Sequence, residues 1–392
     1  MHISRRRFLA HSGAVAAGLA WRPSVASPLH LDDACTTAIS AAAEASIKAG
    51  ASPGVAIRLA ARGNVLFAKD YGLANLETGT AVAPDSVFRI GSLTKQFTAA
   101  LVLKLASEGK LSLDDAAAKH LAFFADKKMF TLRELLNHTA GLHSDESDVS
   151  APPQSAEPSA QLALARSIST QATLFDFDPG TAWRYSNANY IVLGAVVEKV
   201  TGMKLADAAA ALIFKPLGLH RTAFDTSAAV VRGRVDGYSA VPGQAGVFLR
   251  APYLEISDAG GAGAMRSTAE DLWRWQHALF SYRLFGARFV ETMLAPGRLR
   301  DGRVSGSRRF APEDAHYGET QYAMGLLITP PSAGYRSVLH YGAINGFAAC
   351  METYTDLGLT VVVLCNGDIG PAAPFRAVRR AVTTHVLKIP QR

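Results

Sequence analysis

The chain has few cysteines and no long apolar run. It holds three cysteines in 392 residues, Cys35, Cys350 and Cys365, and none lies at a spacing from histidine or another cysteine that is typical of a metal site. The sequence therefore predicts no metal centre and no cofactor. Cys350 and Cys365 fall on neighbouring apolar runs, and we expect both to be buried as small hydrophobic side chains.

Basic clusters interleaved with aromatic residues are also missing, which argues against a nucleic-acid partner. The arginine run at 5–7 precedes a short, mildly apolar stretch, a pattern typical of a twin-arginine export signal. Ser24-Val25-Ala26 resembles a cleavage site, so residues 1–26 are predicted to be a signal peptide. Removing its four arginines lowers the formal net charge from +7 to +3. We expect a periplasmic or secreted protein with no stable membrane anchor after cleavage.

The order of the periodic patterns predicts an α+β fold. Helical patterns lie at 31–49, 92–108, 131–137, 160–173, 187–200, 203–213, 268–280 and 372–387. Strand patterns lie at 55–59, 65–71, 323–328, 337–341, 348–354 and 359–365. The two chain ends should therefore pair into one mainly antiparallel sheet flanked by helices, formed by 27–98 and 301–392. Residues 99–300 should form an inserted, mostly helical domain.

Ser92-Leu-Thr-Lys95 opens one of the predicted helices and places a hydroxyl three residues before an amine. The two side chains share one helix face, so the lysine can reach the serine oxygen. A serine needs such a neighbour to become a nucleophile. At a helix N-terminus, free N–H groups also favour developing negative charge. Ser92 is therefore the candidate nucleophile of an acyl-enzyme mechanism.

Two other serines fit catalytic patterns less well. Ser107-Glu-Gly-Lys110 repeats the spacing, but it lies at the C-terminal end of the same helix, where the dipole would oppose an oxyanion. Ser52 stands in a Gly-x-Ser-x-Gly pattern, which in α/β-hydrolases needs a strand before it and a helix after it. Here the order is reversed, which indicates a simple turn.

Tyr185-Ser-Asn187 begins another apolar helix and is the only Tyr-x-Asn in the chain. A tyrosine is a poor base at neutral pH, but a lysine cation beside it favours the phenolate, which can then carry a proton. Asn187 offers an amide to a substrate carbonyl. A packing role for a tyrosine at a helix start is the alternative.

His340-Tyr-Gly342 ends a predicted strand. Gly342 would let a substrate approach the backbone, and the N–H groups of Ala343 and Ser92 could form a two-donor oxyanion hole. His340 could bind a substrate carboxylate or stabilise the transferred proton. His316-Tyr-Gly318 has the same three residues but lies in a polar loop with no adjoining strand, so we prefer His340.

Together these three motifs resemble serine hydrolases related to class C β-lactamases, a family that includes D-alanyl-D-alanine carboxypeptidases, D-aminopeptidases and esterases. The stretches Leu135–Leu142 and Gly263–Thr268 are also similar, and the resemblance spans about 31–370. It implies an acylated Ser92, proton transfer shared by Lys95 and Tyr185, substrate positioning by Asn187 and a third-motif role for His340. It also implies the β-lactamase/transpeptidase-like fold.

The third motif departs from the Lys-Thr-Gly that efficient β-lactamases of this family usually carry. His340 exchanges a permanent cation for a titratable one. An exported esterase or D-amino-acid peptidase is therefore the favoured function, with a small-molecule or peptide substrate such as a peptidoglycan fragment. A β-lactamase, or a non-catalytic peptidoglycan- or protein-binding module on the same fold, is the alternative. His138 and His143 are expected to be structural or at the rim.

Overall fold

Thirteen strands and twelve α-helices are found in the parts of the chain that the computed structural model describes, residues 29–144, 160–331, 334–368 and 372–388. The predicted signal peptide, residues 1–26, lies outside these ranges. The strands are β1 Gly54–Ala61, β2 Asn64–Asn75, β3 Thr80–Ala81, β4 Phe88–Arg89, β5 Ala223–Phe224, β6 Tyr238–Ala240, β7 Phe248–Arg250, β8 Met265–Ser267, β9 Gln321–Tyr322, β10 Leu327–Ile328, β11 Ser337–Ile344, β12 Phe347–Tyr354 and β13 Leu359–Cys365.

The helices follow the predicted apolar periodicity at most positions. They are α1 Asp33–Lys48, α2 Thr94–Ser107, α3 Ala117–His120, α4 Leu132–Leu136, α5 Gln161–Ser169, α6 Asn187–Thr201, α7 Leu205–Ala209, α8 Lys215–Leu217, α9 Gly260–Gly263, α10 Ala269–Phe280, α11 Ala287–Leu294 and α12 Ala372–Ala381. No helix of the described residues is both long and apolar enough to cross a membrane.

One antiparallel sheet joins strands from the two ends of the described chain. Its eight strands run in the order β3-β2-β1-β13-β12-β11-β10-β9, with Val55 of β1 opposite Cys365 of β13. This arrangement confirms the predicted mainly antiparallel sheet flanked by helices. The domain limits at 98/99 and 300/301 stay a prediction.

Successive side chains of β1 point alternately into two hydrophobic cores on opposite faces of the sheet. Val55, Ile57 and Leu59 are buried in the core that the sheet shares with α1 and α12, whereas Ala56 and Ala60 belong to the larger core that includes α2, α6 and α10. The sheet is therefore covered by helices on both faces. The larger core brings α2 and α6, which carry the first two motifs, against one another.

The cysteines are buried as expected. Cys35, Cys350 and Cys365 are all free thiols inside the protein. Burial raises the pKa of Cys365 to about 12, which keeps this thiol protonated and unreactive at neutral pH.

Two predicted elements differ from the structure. The strand expected at 323–328 is a tight hairpin of β9 and β10, because Gly325 takes a φ of +77° and turns the chain against the backbone of Lys95. The helix expected at 203–213 widens into a π turn at Ala210–Phe214. Pro216 follows directly and has no N–H to donate back into the helix, which accounts for the irregularity.

Candidate active site

Ser92 lies in a 3-10 turn, Gly91–Leu93, immediately before α2. The α-helix proper begins at Thr94, two residues later than predicted. Thr94 stabilises the 3-10 turn before the helix. Its hydroxyl donates to the Gly91 carbonyl at 2.6 Å and accepts from the Met265 N–H at 3.1 Å. Ser92 is half-buried at the surface of a cavity, as a nucleophile must be to meet a substrate.

Lys95 is fully buried and connects three distant segments. Its Nζ donates to Ser92 Oγ at 3.1 Å, to Asn187 Oδ1 at 2.7 Å and to the Ala262 carbonyl at 2.9 Å. All three contacts are of the kind that an ammonium group makes as a donor. The structure therefore fits a charged lysine that touches the predicted nucleophile.

The second motif lies on the opposite side of this ammonium group. Asn187 is the first residue of α6, and Ser186, which separates it from Tyr185, is the N-cap residue and has an extended backbone. The Tyr185 ring centroid lies 4.7 Å from Lys95 Nζ. Since Asn187 Oδ1 accepts from the lysine, its amide NH₂ is the donor it can offer to a bound carbonyl. The structure thus brings Ser92, Lys95, Tyr185 and Asn187 together.

The third motif packs directly against the nucleophile turn, and glycines permit the contact. A Cβ on Gly342 would lie 2.0 Å from the Ile90 carbonyl oxygen, and one on Gly91 would lie 2.8 Å from Ala343 N. Gly342 is therefore required for the close packing of β11 against the segment that carries Ser92. Its predicted role in substrate approach stays a prediction.

The strand register orients the predicted oxyanion donor. Ile344 and Phe347 close the two-residue turn between β11 and β12, so the next pair, Ala343 and Ala348, is a non-hydrogen-bonded pair. The Ala343 N–H then points away from β12, toward the Gly91 side. This orientation is what a two-donor hole with the Ser92 N–H requires, and the hole itself stays a prediction.

His340 lies close to the other motifs but is a neutral group. Its Nδ1 donates to the Tyr341 carbonyl at 2.6 Å, and its Nε2 accepts from the Tyr322 hydroxyl at 3.1 Å. Burial, and secondly the Lys95 charge, lower the pKa of His340 to about 3. The third motif therefore supplies a hydrogen-bonding imidazole rather than the titratable cation expected from the residue type.

The lowered pKa of His340 predicts a loss of stability in acid. An unfolded histidine binds a proton near pH 6.5, whereas folded His340, which faces Lys95, His138, Tyr185 and Tyr322, does not until about pH 3. Between these values the unfolded state binds more protons, so the free energy of unfolding falls as the pH drops below 6.5. We expect His340→Gln to remove roughly 2–3 kcal/mol of the loss between pH 7 and 4.5.

Urea unfolding of both proteins at pH 7 and 4.5 measures this difference. Equal losses of stability in wild type and variant would show that His340 takes up its proton in the folded state as readily as in the unfolded one.

One residue at the site was not predicted from the sequence. Tyr322, on the short strand β9, donates to His340 and carries no motif that would single it out. His138, expected to be structural or at the rim, is fully buried, and its ring lies 4.5 Å from that of Tyr185. His143 is half-buried, and its Nδ1 lies 2.7 Å from Asp176 Oδ1.

A cavity of about 960 Å³ opens over these residues. Ser92, Tyr185, Asn187, His340 and Ala343 all contribute to its wall. The rest of the wall is mixed. Its aromatic and aliphatic members include Tyr253, Tyr317, Tyr341, Leu327, Leu339 and Ile344, and its polar members include Ser239, Thr320, Thr329 and Asn345, with Asp368 and Arg379 charged. The rejected alternative His316 lies on the same wall, in a 3-10 turn. Within the described ranges no group of three or more His, Cys, Asp or Glu is placed to hold a metal ion.

Comparisons with known proteins identify the family and the fold. The family model described as Beta-lactamase matches residues 39–385. Penicillin-binding protein 4* of Bacillus subtilis (strain 168) is 25% identical over 318 residues, which are 78% of this chain and 66% of that protein, slightly under two thirds of its length. Esterase EstB of Burkholderia gladioli is 29% identical over 355 residues, covering 79% of this chain and 85% of the esterase.

A solved structure also covers nearly the whole chain. A D-stereospecific amidohydrolase from Streptomyces sp. superimposes with a TM-score of 0.72 at 26% identity, covering 91% of this chain and 99% of the other. Fold and site together define a protein of the β-lactamase and penicillin-binding-protein class. The chain belongs to the Beta-lactamase family.

Proposed function

We propose that this serine hydrolase is exported and cleaves a small ester or amide through an acyl-serine intermediate, as an esterase or D-amino-acid peptidase. The observation that carries the proposal is the buried Lys95 ammonium, which contacts Ser92 Oγ and Asn187 Oδ1 at the wall of the cavity. The names of two similar proteins, an esterase and a D-stereospecific amidohydrolase, support the same reaction class.

The proposed reaction has two steps. Ser92 Oγ attacks the carbonyl carbon, its proton passes to the Tyr185 oxygen, and the alcohol or amine leaves with that proton. Water then attacks the acyl group, which frees the acid and restores the serine hydroxyl. Lys95 favours the negative phenolate, and the N–H groups of Ser92 and Ala343 stabilise the oxyanion.

The apolar members of the wall support a substrate that carries an apolar group. The aromatic and aliphatic side chains around the cavity favour a bulky apolar group on the ester or amide. His340 is neutral and both its ring nitrogens are engaged inside the protein, so this position offers no permanent cation to the carboxylate of a β-lactam. The permanent cation of the described wall, Arg379, is already paired with Glu352 at 3.0 Å. An ester or amide without such a carboxylate therefore fits better than a β-lactam.

Export rests on the sequence. The arginine run at 5–7 and the cleavage pattern before residue 27 support periplasmic or secreted localisation by the twin-arginine route. Peptidoglycan fragments are then among the substrates that the enzyme would meet.

Intact-protein mass spectrometry tests the reaction. The protein is incubated separately with p-nitrophenyl butyrate, a D-amino-acid p-nitroanilide and benzylpenicillin, and both the protein mass and the small molecule are followed. We expect a transient acyl adduct and turnover with the ester or the anilide. Rapid consumption of benzylpenicillin with both other substrates intact would identify a β-lactamase, and no turnover or adduct with any of the three would favour a binding module.

A further inference from the structure

His138 has a left-handed backbone conformation, which is uncommon for residues other than glycine. It lies in the Leu135–Leu142 stretch, its side chain is fully buried, and its φ is +59°. Residues with a Cβ seldom take up this left-handed conformation, and it persists only where the surrounding structure fixes it.

The turn at His138 directs two acceptors at the segment that carries Tyr185. The His138 carbonyl accepts from the Arg184 N–H at 3.2 Å, and its Nδ1 accepts from the Ser186 N–H at 3.2 Å. The residues directly before and after Tyr185 are therefore bonded to the same residue. Asn189 Nδ2 also lies 3.0 Å from this Nδ1, which ties the start of α6 to the same point.

The imidazole ring also supports the phenol ring. The two ring centroids are 4.5 Å apart with a tilt of 37°, and Tyr322 packs on His138 at 4.5 Å and 66°. Since Nδ1 accepts, the hydrogen of the neutral ring sits on Nε2, for which the described residues provide no hydrogen-bond partner. Burial and the Lys95 charge lower the pKa of His138, so the ring stays uncharged beside the ammonium group.

We propose that His138 is the positioning residue of Tyr185: it fixes the backbone on both sides of the tyrosine and supplies the surface against which the phenol ring lies. The proposal rests on the proposed function, in which the Tyr185 oxygen exchanges a proton with Ser92. Proton transfer depends steeply on placement of the base, so loss of this support should slow acylation while leaving substrate binding nearly unchanged.

Two substitutions separate the hydrogen bond accepted by His138 Nδ1 from the contact between the His138 and Tyr185 rings. His138→Asn keeps an acceptor near the Nδ1 position and tolerates the left-handed backbone, but it removes the ring. His138→Phe keeps a ring and removes the acceptor. We expect a displaced Tyr185 ring in the crystal structure of His138→Asn. Single-turnover acylation by p-nitrophenyl butyrate should fall roughly 10- to 100-fold in both variants, with KM within about threefold of wild type.

A double-mutant cycle provides the readout that a general packing defect would not give. In a Tyr185→Phe background, His138→Asn should cost less than about a further twofold, because the group it positions is gone. His277→Asn, a half-buried histidine on α10 away from this cavity, serves as the control and should acylate like wild type.

Additive losses in the cycle, or an unmoved Tyr185 ring with an unchanged acylation rate, would overturn the role of His138. The crystal structure reports the Tyr185 position whether or not the ester is a substrate, so it separates failure of this role from failure of the proposed function. Failure of wild type to react with a fluorophosphonate at Ser92 would count against the function alone.

Discussion

Replacing Ser92 by alanine should abolish covalent labelling by a fluorophosphonate probe and lower ester hydrolysis by at least about 10⁴-fold. The serine oxygen is the atom that would carry the acyl group in the proposed reaction. The fold should survive, because Ser92 is half-buried and Lys95 retains its bonds to Asn187 and Ala262. In-gel fluorescence of the labelled protein and its melting temperature measure the two expectations.

The chain supplies its own control for this substitution. Ser107 stands in the second Ser-x-x-Lys pattern, but its hydroxyl donates to the Lys104 carbonyl at the C-terminal end of α2. Ser107→Ala should label like wild type. Labelling that persists in Ser92→Ala, or that disappears in Ser107→Ala, would mean that the nucleophile has been misassigned.

Replacing Lys95 by methionine should slow acylation by about 10²- to 10⁴-fold. Methionine fills much of the space of the buried side chain but removes the charge that favours the Tyr185 phenolate and the donor that contacts Ser92. Two acceptors, Asn187 Oδ1 and the Ala262 carbonyl, would also lose a partner, at about 1–3 kcal/mol each. Stopped-flow release of p-nitrophenol in a single turnover gives the rate.

Lys104→Met is the matched control, since Lys104 lies on the same helix and pairs with Glu108 near the surface. It should acylate at the wild-type rate. Wild-type acylation in Lys95→Met would rule out this lysine as part of the proton path. The charge beside Tyr185 could then no longer explain why the tyrosine acts as a base.

The sequence predicted the parts of the site that local patterns encode. Ser92 and Lys95 are one helical turn apart, and Asn187 follows a turn and begins an apolar helix, so spacing alone placed each motif on its element. The antiparallel pairing of the two chain ends also followed from the order of strand patterns. These features depend on periodicity of 2 or 3.6 residues, which is visible in one sequence.

Other parts depend on contacts between residues far apart in the chain. Tyr322 reaches His340 only because Gly325 turns the chain between β9 and β10, and the neutral state of His340 follows from burial that no spacing reveals. The role we assign to His138 depends on its carbonyl and ring meeting residues 184–189. Such tertiary contacts cannot be identified from a single sequence.

The three acceptors of Lys95 have a consequence for when the enzyme becomes reactive. Residues 92, 187 and 262 belong to segments that meet only after α2, α6 and α9 have packed together. A growing or partly unfolded chain has the serine but not the environment that activates it. The nucleophile is therefore activated only when the fold is complete, and its reaction with a probe reports on native packing between residues 92 and 262.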